Sequence, residues 1–568
     1  MLKIEWCFVV AAMVLAFANP NLGSRGFLRL ERAFRWLAYR PRLSVLVVGL
    51  LALVARVAVL PVEPIPEPTI HDEFSQLLLG DTFAHGRLTN PTHPMWVHFE
   101  TFHIIWHPTY ASIFYPAQGL FLAAGQVIAH HPFWGVWLSA GLMCAAICWA
   151  LQGWLPGRWA LLGGALAIMR IDIFSYWANS YYGGAVAAIG GALVLGALPR
   201  IQRYQRARDG LLLGLGLAVL AGSRPYEGIF LALPVGLAIL TWMVEKKGSL
   251  SRLPMQRAVA LAILVAALGS CGLAYYFWRV TGSPFHLPYQ VNAQTYGVAY
   301  FPWQKPEFPP HYNHAVLQEG YRVQFYGMYE DARRHPFLLA LWNVVPLWLF
   351  FIGPVLTIPL VMLLIMAPAR FSFRSVGSKT RILLFVCVSV YVGMALLVYR
   401  PAPHYAAPAV VALYALILQA MRHLRLWQWH GRPVGRLMVR AVPSICFILL
   451  LLRAAAPLPG IPVPTQNPLT WCSSHRGNLE RARILAQLKS TPGYHLVMVR
   501  STPKHNWTNE WVYNEAEIDQ AEVVWARDMS PAENQELFAY FKDRQVWVID
   551  PDNTPVRLLP YEPAPTTH

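Results

Sequence analysis

Long apolar runs separated by short polar ones dominate the chain. Eleven of them approach the roughly 20 residues a helix needs to cross a bilayer: near 43–61, 133–152, 159–176, 184–198, 210–223, 228–244, 258–277, 338–366, 382–399, 402–421 and 441–456. An earlier run, 5–19, has the size of a signal-peptide core but lacks a strongly basic start. Six arginines follow it between Arg25 and Arg42, so it reads as a twelfth span with its N-terminus outside. The polar stretch 62–132 holds two shorter patterns. Residues 73–86 (EFSQLLLGDTFAHG) are amphipathic at helical spacing; residues 116–129 (PAQGLFLAAGQVIA) are apolar but too short to cross. Both are predicted as helices lying in the membrane interface.

The tail has another rhythm. A Pro-rich segment, 457–468, reads as a linker. In 469–568, short apolar strands (495–500, 523–528, 546–550) alternate with helices (479–489, 531–543), which predicts a small parallel α/β layer. It has no Gly-rich phosphate motif, and no cofactor is assigned to it. Asn506-Trp507-Thr508 fits a glycosylation sequon, a pattern frequent by chance. The expected organisation is a basic N-terminal segment (1–42), a membrane domain (43–456), the linker and a soluble domain. The fold class is an α-helical polytopic membrane protein with 11–12 transmembrane helices and a small C-terminal extracytoplasmic α/β domain.

Composition agrees: 56% of residues are hydrophobic and only 13% charged, against about 25% charged in soluble domains. The net charge of +17 is not gathered into the patch of a nucleic-acid binder. It lies between spans, in clusters at Arg25–Arg42, Arg158, Arg200–Arg208, Lys246–Arg257, Arg370–Arg381 and Arg422–Arg440. With these spans every cluster falls on one side, which the positive-inside rule makes the cytoplasm of a plasma (inner) membrane. Segments 62–132, 179–183, 223–227, 278–337, 400–404 and the tail then face outward. Of seven cysteines, six lie in apolar runs and Cys472 stands alone in the tail, so no disulfide framework is present.

The chemistry-bearing residues concentrate in the outward segments. Asp72 and Glu73 open the 62–132 loop, which also carries Glu100 and histidines 71, 85, 93, 98, 103 and 107. Paired carboxylates suit proton transfer; they equally suit the start of a helix, where the dipole favours negative charge. His98-x-Glu100-x-x-His103 offers donors that suit a divalent metal such as zinc, though the spacing matches no metal signature. Plain polar loop histidines remain the other reading. Arg224, Arg400, His404 and Tyr405 lie at outer ends of spans. They could bind an anionic group or be snorkelling and hairpin-tip residues. Gly183-Gly184 and Gly190-Gly191 read as close helix packing. The aromatic-rich 278–337 loop fits sugar stacking or interfacial anchoring equally well.

In order along the chain, Asp72-Glu73, Gly86-Arg87-Leu88-Thr89-Asn90-Pro91, Tyr115-Pro116-Ala117, Leu220-Ala-Gly-Ser-Arg224-Pro225 and Arg400-Pro-Ala-Pro-His404-Tyr405-Ala-Ala-Pro408 resemble the motifs of GT-C glycosyltransferases. The nearest patterns are those of bacterial lipid A aminoarabinose transferases and protein O-mannosyltransferases, over roughly residues 43–421. The resemblance implies transfer of a sugar from a polyprenyl-phosphate carrier to an envelope glycan, lipid or protein by inverting displacement. It puts the general base on Asp72, with Glu73 beside it, and the carrier phosphate on Arg224, then Arg400, His404 and Tyr405. Two departures stand out. No cation precedes Pro116, and the Ala178–Gly184 turn lacks the family's carboxylate, for which Asp172 is the candidate substitute; donor or acceptor is then expected to differ from that of the aminoarabinose enzymes. Two other classes stay open: a secondary transporter, although no internal repeat is evident, and a non-catalytic glycan- or lipid-binding membrane protein. A membrane metallohydrolase would need H-E-x-x-H or a comparable site, which is not found.

Overall fold

The computed structural model describes residues 1–245, 252–366, 376–458, 470–473, 476–502 and 505–562. Among them nine helices are long and apolar enough to cross a membrane: Pro41–Ala58, Phe133–Trp154, Ala185–Tyr204, Pro225–Glu245, Leu253–Thr281, Pro336–Met366, Ser378–Ala395, Pro403–Leu424 and Val434–Ala455. Each falls on an expected span. The remaining two expected spans are shorter helices. Gly157–Ala167 runs on through a π-helical turn to Asp172, and Ala207–Ala221 has 15 residues. The first stops short because residues 173–184 leave the helix as an irregular, almost wholly buried segment. Irregular backbone at membrane depth needs partners from the protein. Asn179 provides them, donating from Nδ2 to the carbonyls of Ile173 at 3.0 Å and Ser175 at 2.8 Å.

Gly190-Gly191 packs closely between elements, as expected, whereas Gly183-Gly184 is not helix packing: it folds the irregular segment back on its own Trp177. A Cβ on Gly191 would lie 2.0 Å from the Pro408 carbonyl oxygen, and one on Gly183 2.6 Å from Trp177 Cα.

Leu2–Ala18 is a helix on the outside of the bundle, packed on Gly353–Met366 and Val434–Ala455 through a narrow stripe that buries Glu5, Val9 and Ala16. Its Glu5 is buried and pairs with buried Arg170 at 3.1 Å. Glu5 also accepts from Val355 N at 3.2 Å, and Arg170 donates to the Ile352 carbonyl at 3.1 Å. Three stretches of chain therefore meet on one ion pair.

The segments expected to share a side do come together. Ala117 N donates to Gly222 O at 2.8 Å, Gln118 Nε2 to Tyr181 O at 3.0 Å, and Thr109 Oγ1 to Val280 O at 2.7 Å. The arginine clusters gather at the opposite end, save residues 246–251 and 367–375, which lie outside the described residues. So do residues 459–469, most of the expected linker.

One expectation needs correcting. The helix predicted over 73–86 spans His71–Ala84 and is not interfacial: most of its residues are buried. The reason is the tail, which covers it. Phe74 stacks on Tyr513 with centroids 4.8 Å apart, and Ala516 N donates to Asp81 Oδ2 at 2.7 Å. Pro116–Ala129, by contrast, keeps Leu120, Val127 and Ile128 exposed, as an interfacial helix would.

The tail forms a four-stranded sheet in the order Val523–Arg527, Tyr494–Val499, Arg544–Ile549, Leu559–Pro560. The first three strands are parallel and the last antiparallel. Leu479–Lys489 and Pro531–Tyr540 are its helices. One face of the sheet shares a core with the 62–132 segment: Leu496 and Val524 pack with Leu78, Phe99 and Trp106.

Removing one partner of a buried ion pair costs about 3–5 kcal/mol, because the other charge is left without compensation. Glu5→Leu should therefore lower the melting temperature of purified protein sharply. Glu5→Leu combined with Arg170→Met should recover most of the loss. A double variant as unstable as the single one would show that the pair itself is not what matters.

Candidate active site

Asp72 and Glu73 are consecutive residues at the start of the His71–Ala84 helix, so their side chains point about 100° apart. Glu73 turns inward and is 0% exposed. Its Oε2 accepts from Thr69 N at 2.9 Å and Ile70 N at 3.5 Å, and its Oε1 from Tyr181 N at 3.3 Å. Those contacts close the first turn, whose N–H groups lack helical acceptors. Asp72 turns the other way, with 27% of its side chain exposed, onto a cavity of ≈ 200 Å³.

His103 meets Asp72 there, Nδ1 to Oδ1 at 2.6 Å. The carboxylate accepts, so Nδ1 carries the proton. His103 has φ +60°, a left-handed conformation that costs a side-chain-bearing residue about 1–2 kcal/mol. Neighbours hold it: its carbonyl accepts from Ser75 Oγ at 2.6 Å and Ile113 N at 3.2 Å. His71 stands edge-on to His103 with centroids 4.4 Å apart. Its ring is buried, and its Nδ1 has no hydrogen-bond partner.

Arg224 enters from the short link before Pro225, a residue that keeps its predecessor out of the helix. Its guanidinium lies 4.2 Å from the centre of the Tyr405 ring. Tyr405 and His404 belong to the 3-10 turn Pro403–Ala409. Tyr176 fixes His404 twice at 2.9 Å, accepting from its N–H and donating to its Nδ1. Asp72, His103, Arg224, His404 and Tyr405, widely spaced in sequence, thus line one cavity.

The local field keeps the charges in place. Burial would raise the Asp72 carboxyl, but His103, His71 and His404 outweigh it and hold it below the usual carboxylate range. Burial likewise opposes charge on Arg224, yet Tyr405, Glu227 and Tyr289 hold its pKa above the ordinary arginine value. His71 goes the other way. Burial, then the neighbouring His103, bring it down to about 4, partly offset by Asp72 and Glu510.

Other predicted site residues lie elsewhere. Arg400 is exposed and does not line the cavity. Asp172 is buried beside Arg56, with Oδ2 unpartnered. The His98-Glu100-His103 trio does not assemble, because the chain turns at 102–103 between its members. His98 is buried towards Glu533. Glu100 accepts from Tyr296 OH at 2.8 Å and Asn313 Nδ2 at 2.9 Å. The donors that do converge are His71, Asp72 and His103, within 4.8 Å of one another. Two imidazoles and a carboxylate are a zinc-type set, and the orphaned His71 nitrogen fits a metal ligand.

Several walls of the cavity belong to no motif. Gln76 sits one turn on from Asp72, on the same helix face, a spacing that could have marked it. Tyr289, Tyr300, Tyr321 and Phe325 bring the 278–337 loop into the lining, while its Trp303 is exposed. Trp507 comes from the tail. It stacks on His71 with centroids 5.3 Å apart and 21° between planes, and packs on Phe325 at 5.2 Å.

No family model matches the sequence, and no curated protein matches it. Solved structures do. The apo oligosaccharyltransferase of Archaeoglobus fulgidus aligns with TM-score 0.50 at 12% identity, covering 89% of this chain and 69% of that one. The same archaeal enzyme, AglB, in complex with an inhibitory peptide and a dolichol-phosphate gives 0.49 at 10% identity over 90% and 69%. ArnT from Cupriavidus metallidurans in the apo state gives 0.47 at 12% identity over 94% of both chains. The first of these shows that the chain shares the membrane fold of that oligosaccharyltransferase.

His71 tests this description. Its folded pKa of about 4 lies below the ordinary 6.5. The unfolded chain takes up the proton first as pH falls, so stability is full above about 6.5 and drains away towards 4. At pH 5 the loss is about 2 kcal/mol. The melting temperature of wild type should fall between pH 7 and pH 5 by more than that of His71→Asn. Equal falls would mean that His71 is not a buried neutral imidazole.

Proposed function

We propose that the protein is a polytopic membrane glycosyltransferase that takes a sugar from a polyprenyl-phosphate carrier and passes it to an extracytoplasmic envelope acceptor. One observation carries this reading: a carboxylate held ionised and a guanidinium held cationic face the same small cavity, each brought there by a different sequence motif. The GT-C-like fold, shared with an archaeal oligosaccharyltransferase, supports it. So does the sequence resemblance to enzymes that use polyprenyl-phosphate sugars. The positive-inside distribution of arginines supports a cavity on the outer face.

The chemistry needs two groups. An acceptor hydroxyl is a poor nucleophile until a base within about 3 Å takes its proton as the new bond forms. Asp72 is that base. Its Oδ1 is tied to His103, which orients the carboxylate and leaves Oδ2 to receive the proton. The acceptor oxygen bonds to the anomeric carbon, the bond from that carbon to the carrier phosphate oxygen breaks, and configuration inverts in one displacement. The departing phosphate takes the electron pair, and Arg224 holds its charge with a planar pair of donors. His404 and Tyr405 fix the guanidinium's wall. Glu73 has a different task, setting the helix start from which Asp72 projects. A divalent ion held by His71, Asp72 and His103 would supply Lewis-acid chemistry on the acceptor's side of the cavity.

The test uses purified protein in lipid, radiolabelled polyprenyl-phosphate sugars and an extract of envelope acceptors. Asp72→Asn should lower transfer about 10²–10⁴-fold, the usual worth of a general base, while still binding the carrier. Arg224→Gln should weaken carrier binding as well as slow transfer. Full transfer by Asp72→Asn would remove it as the base. Activity that vanishes with a chelator and returns with a divalent metal would assign the His71–Asp72–His103 group to a metal.

A further inference from the structure

The arginine clusters at 25–42, 158 and 422–440 meet at the end of the molecule opposite the Asp72 cavity. The helix Ser24–Ala38 (SRGFLRLERAFRWLA) lies there against Gly157–Ala167. At helical spacing, Arg25, Arg29, Arg32 and Arg35 share one side, and Phe27, Leu30, Phe34 and Leu37 the other. That is the pattern of a helix lying in a membrane surface.

Glu31 ties this helix to the bundle. Its carboxylate takes Arg425 Nη2 at 3.1 Å and Arg440 Nε at 2.9 Å. Arg440 also lies over the Phe27 ring, 5.2 Å from its centre. Beside this latch runs a groove of ≈ 300 Å³ between the helix and the bundle. Its walls are apolar, with Phe34, Trp159, Leu162, Pro443 and Phe447 among them. Its rim carries four guanidinium groups against one carboxylate, Glu31. Arg425 and Arg440 share that carboxylate. Arg35 and Arg158 are exposed and have no carboxylate partner among the described residues.

An apolar slot beneath a rim of surplus positive charge is complementary to an amphiphile with an anionic head. A free phosphate ion would use the rim and leave the slot; a neutral lipid would use the slot and leave the guanidinium groups. We propose that this groove binds one anionic phospholipid of the surrounding bilayer. Its phosphate sits on Arg35 and Arg158, and an acyl chain lies against Trp159 and Phe447. Guanidinium suits a phosphate because it donates two parallel hydrogen bonds. Basic pockets between membrane helices on the cytoplasmic side take such headgroups.

Native mass spectrometry of the delipidated full chain tests this, with phosphatidylglycerol and phosphatidylcholine of matched acyl chains added in turn. Wild type should retain a single phosphatidylglycerol in preference to phosphatidylcholine. Arg35→Gln with Arg158→Gln should weaken that binding about thirtyfold, from about 1 kcal/mol per basic residue, and leave phosphatidylcholine binding unchanged. Both side chains are exposed, and an unaltered melting temperature without lipid would confirm an intact fold. Arg203→Gln with Arg208→Gln, on another basic groove of this end, serves as the control and should change nothing. Equal binding of the two lipids overturns the proposal. So does equal loss in the control variant, which would mean general charge attraction, or displacement of the lipid by millimolar inorganic phosphate, which would make the rim a simple anion site.

Discussion

The start of one helix governs the candidate site. Glu73 satisfies the open N–H groups before His71–Ala84 and reaches across to Tyr181, so neither the helix origin nor its rotation is free. With Glu73 committed inward, helical geometry turns Asp72 to the cavity and places Gln76 beside it. Two adjacent carboxylates are therefore not duplicates. Ser75, the fifth residue of that helix, extends the control: its Oγ reaches both His103 O and Ser112 Oγ, at 2.6 and 2.7 Å. The helix that aims Asp72 thereby also holds the left-handed turn that brings His103 onto it.

The tail behaves as part of the same construction. Glu510 is buried and pairs with Arg527 at 3.1 Å. It also accepts from Thr101 Oγ1 at 2.5 Å and from the N–H groups of Trp511 and Val512. Arg527 donates from Nε to the Glu100 carbonyl at 2.7 Å. A charge pair this deep is tolerable only when its remaining valences are filled, and residues 100–101 fill them. The loop that carries Trp507 is anchored by these contacts and by Glu510 N on Thr69 O at 3.1 Å. The indole against His71 is therefore set by the docking of the sheet, and the sheet supplies a wall of the cavity as well as covering the helix.

Much of the fold was legible in sequence because burial in a membrane leaves long apolar runs. The strands and helices of the tail were legible too, because a parallel layer leaves short ones. The site was legible where a motif joined charge to a span end, as at Asp72, Arg224 and His404. It was not legible where a residue's role depends on rotation about a helix or on distant chain. Glu73 and Asp72 look equivalent in a string of letters and differ by 100° in space. His98, Glu100 and His103 look like a ligand set until the turn at 102–103 separates them, while His71, next to Asp72, completes a set that spacing does not reveal. Trp507 carries no local signal at all, since only the docking of the sheet brings it near. The same docking explains why an amphipathic-looking helix is buried: its polar face was read as facing water, and it faces Tyr513 and Ala516.

The cavity also separates charges that would attract one another. Among the described residues Asp72 and Arg224 make no ion pair. Asp72 is satisfied chiefly by His103 and His71 beside it, and Arg224 by tyrosine faces and Glu227. Had they met directly, each would have cancelled the other, and a buried pair offers a ligand little field. Kept apart across ≈ 200 Å³, they give the cavity a negative end and a positive end in surroundings of low polarity, where such a field is strong. A neutral ring with a nucleophile on one side and an anionic leaving group on the other matches that polarity without moving either charge. The tyrosines that line the gap serve this arrangement because burial keeps their phenols protonated, Tyr182 and Tyr289 among them, so they donate hydrogen bonds without adding charge.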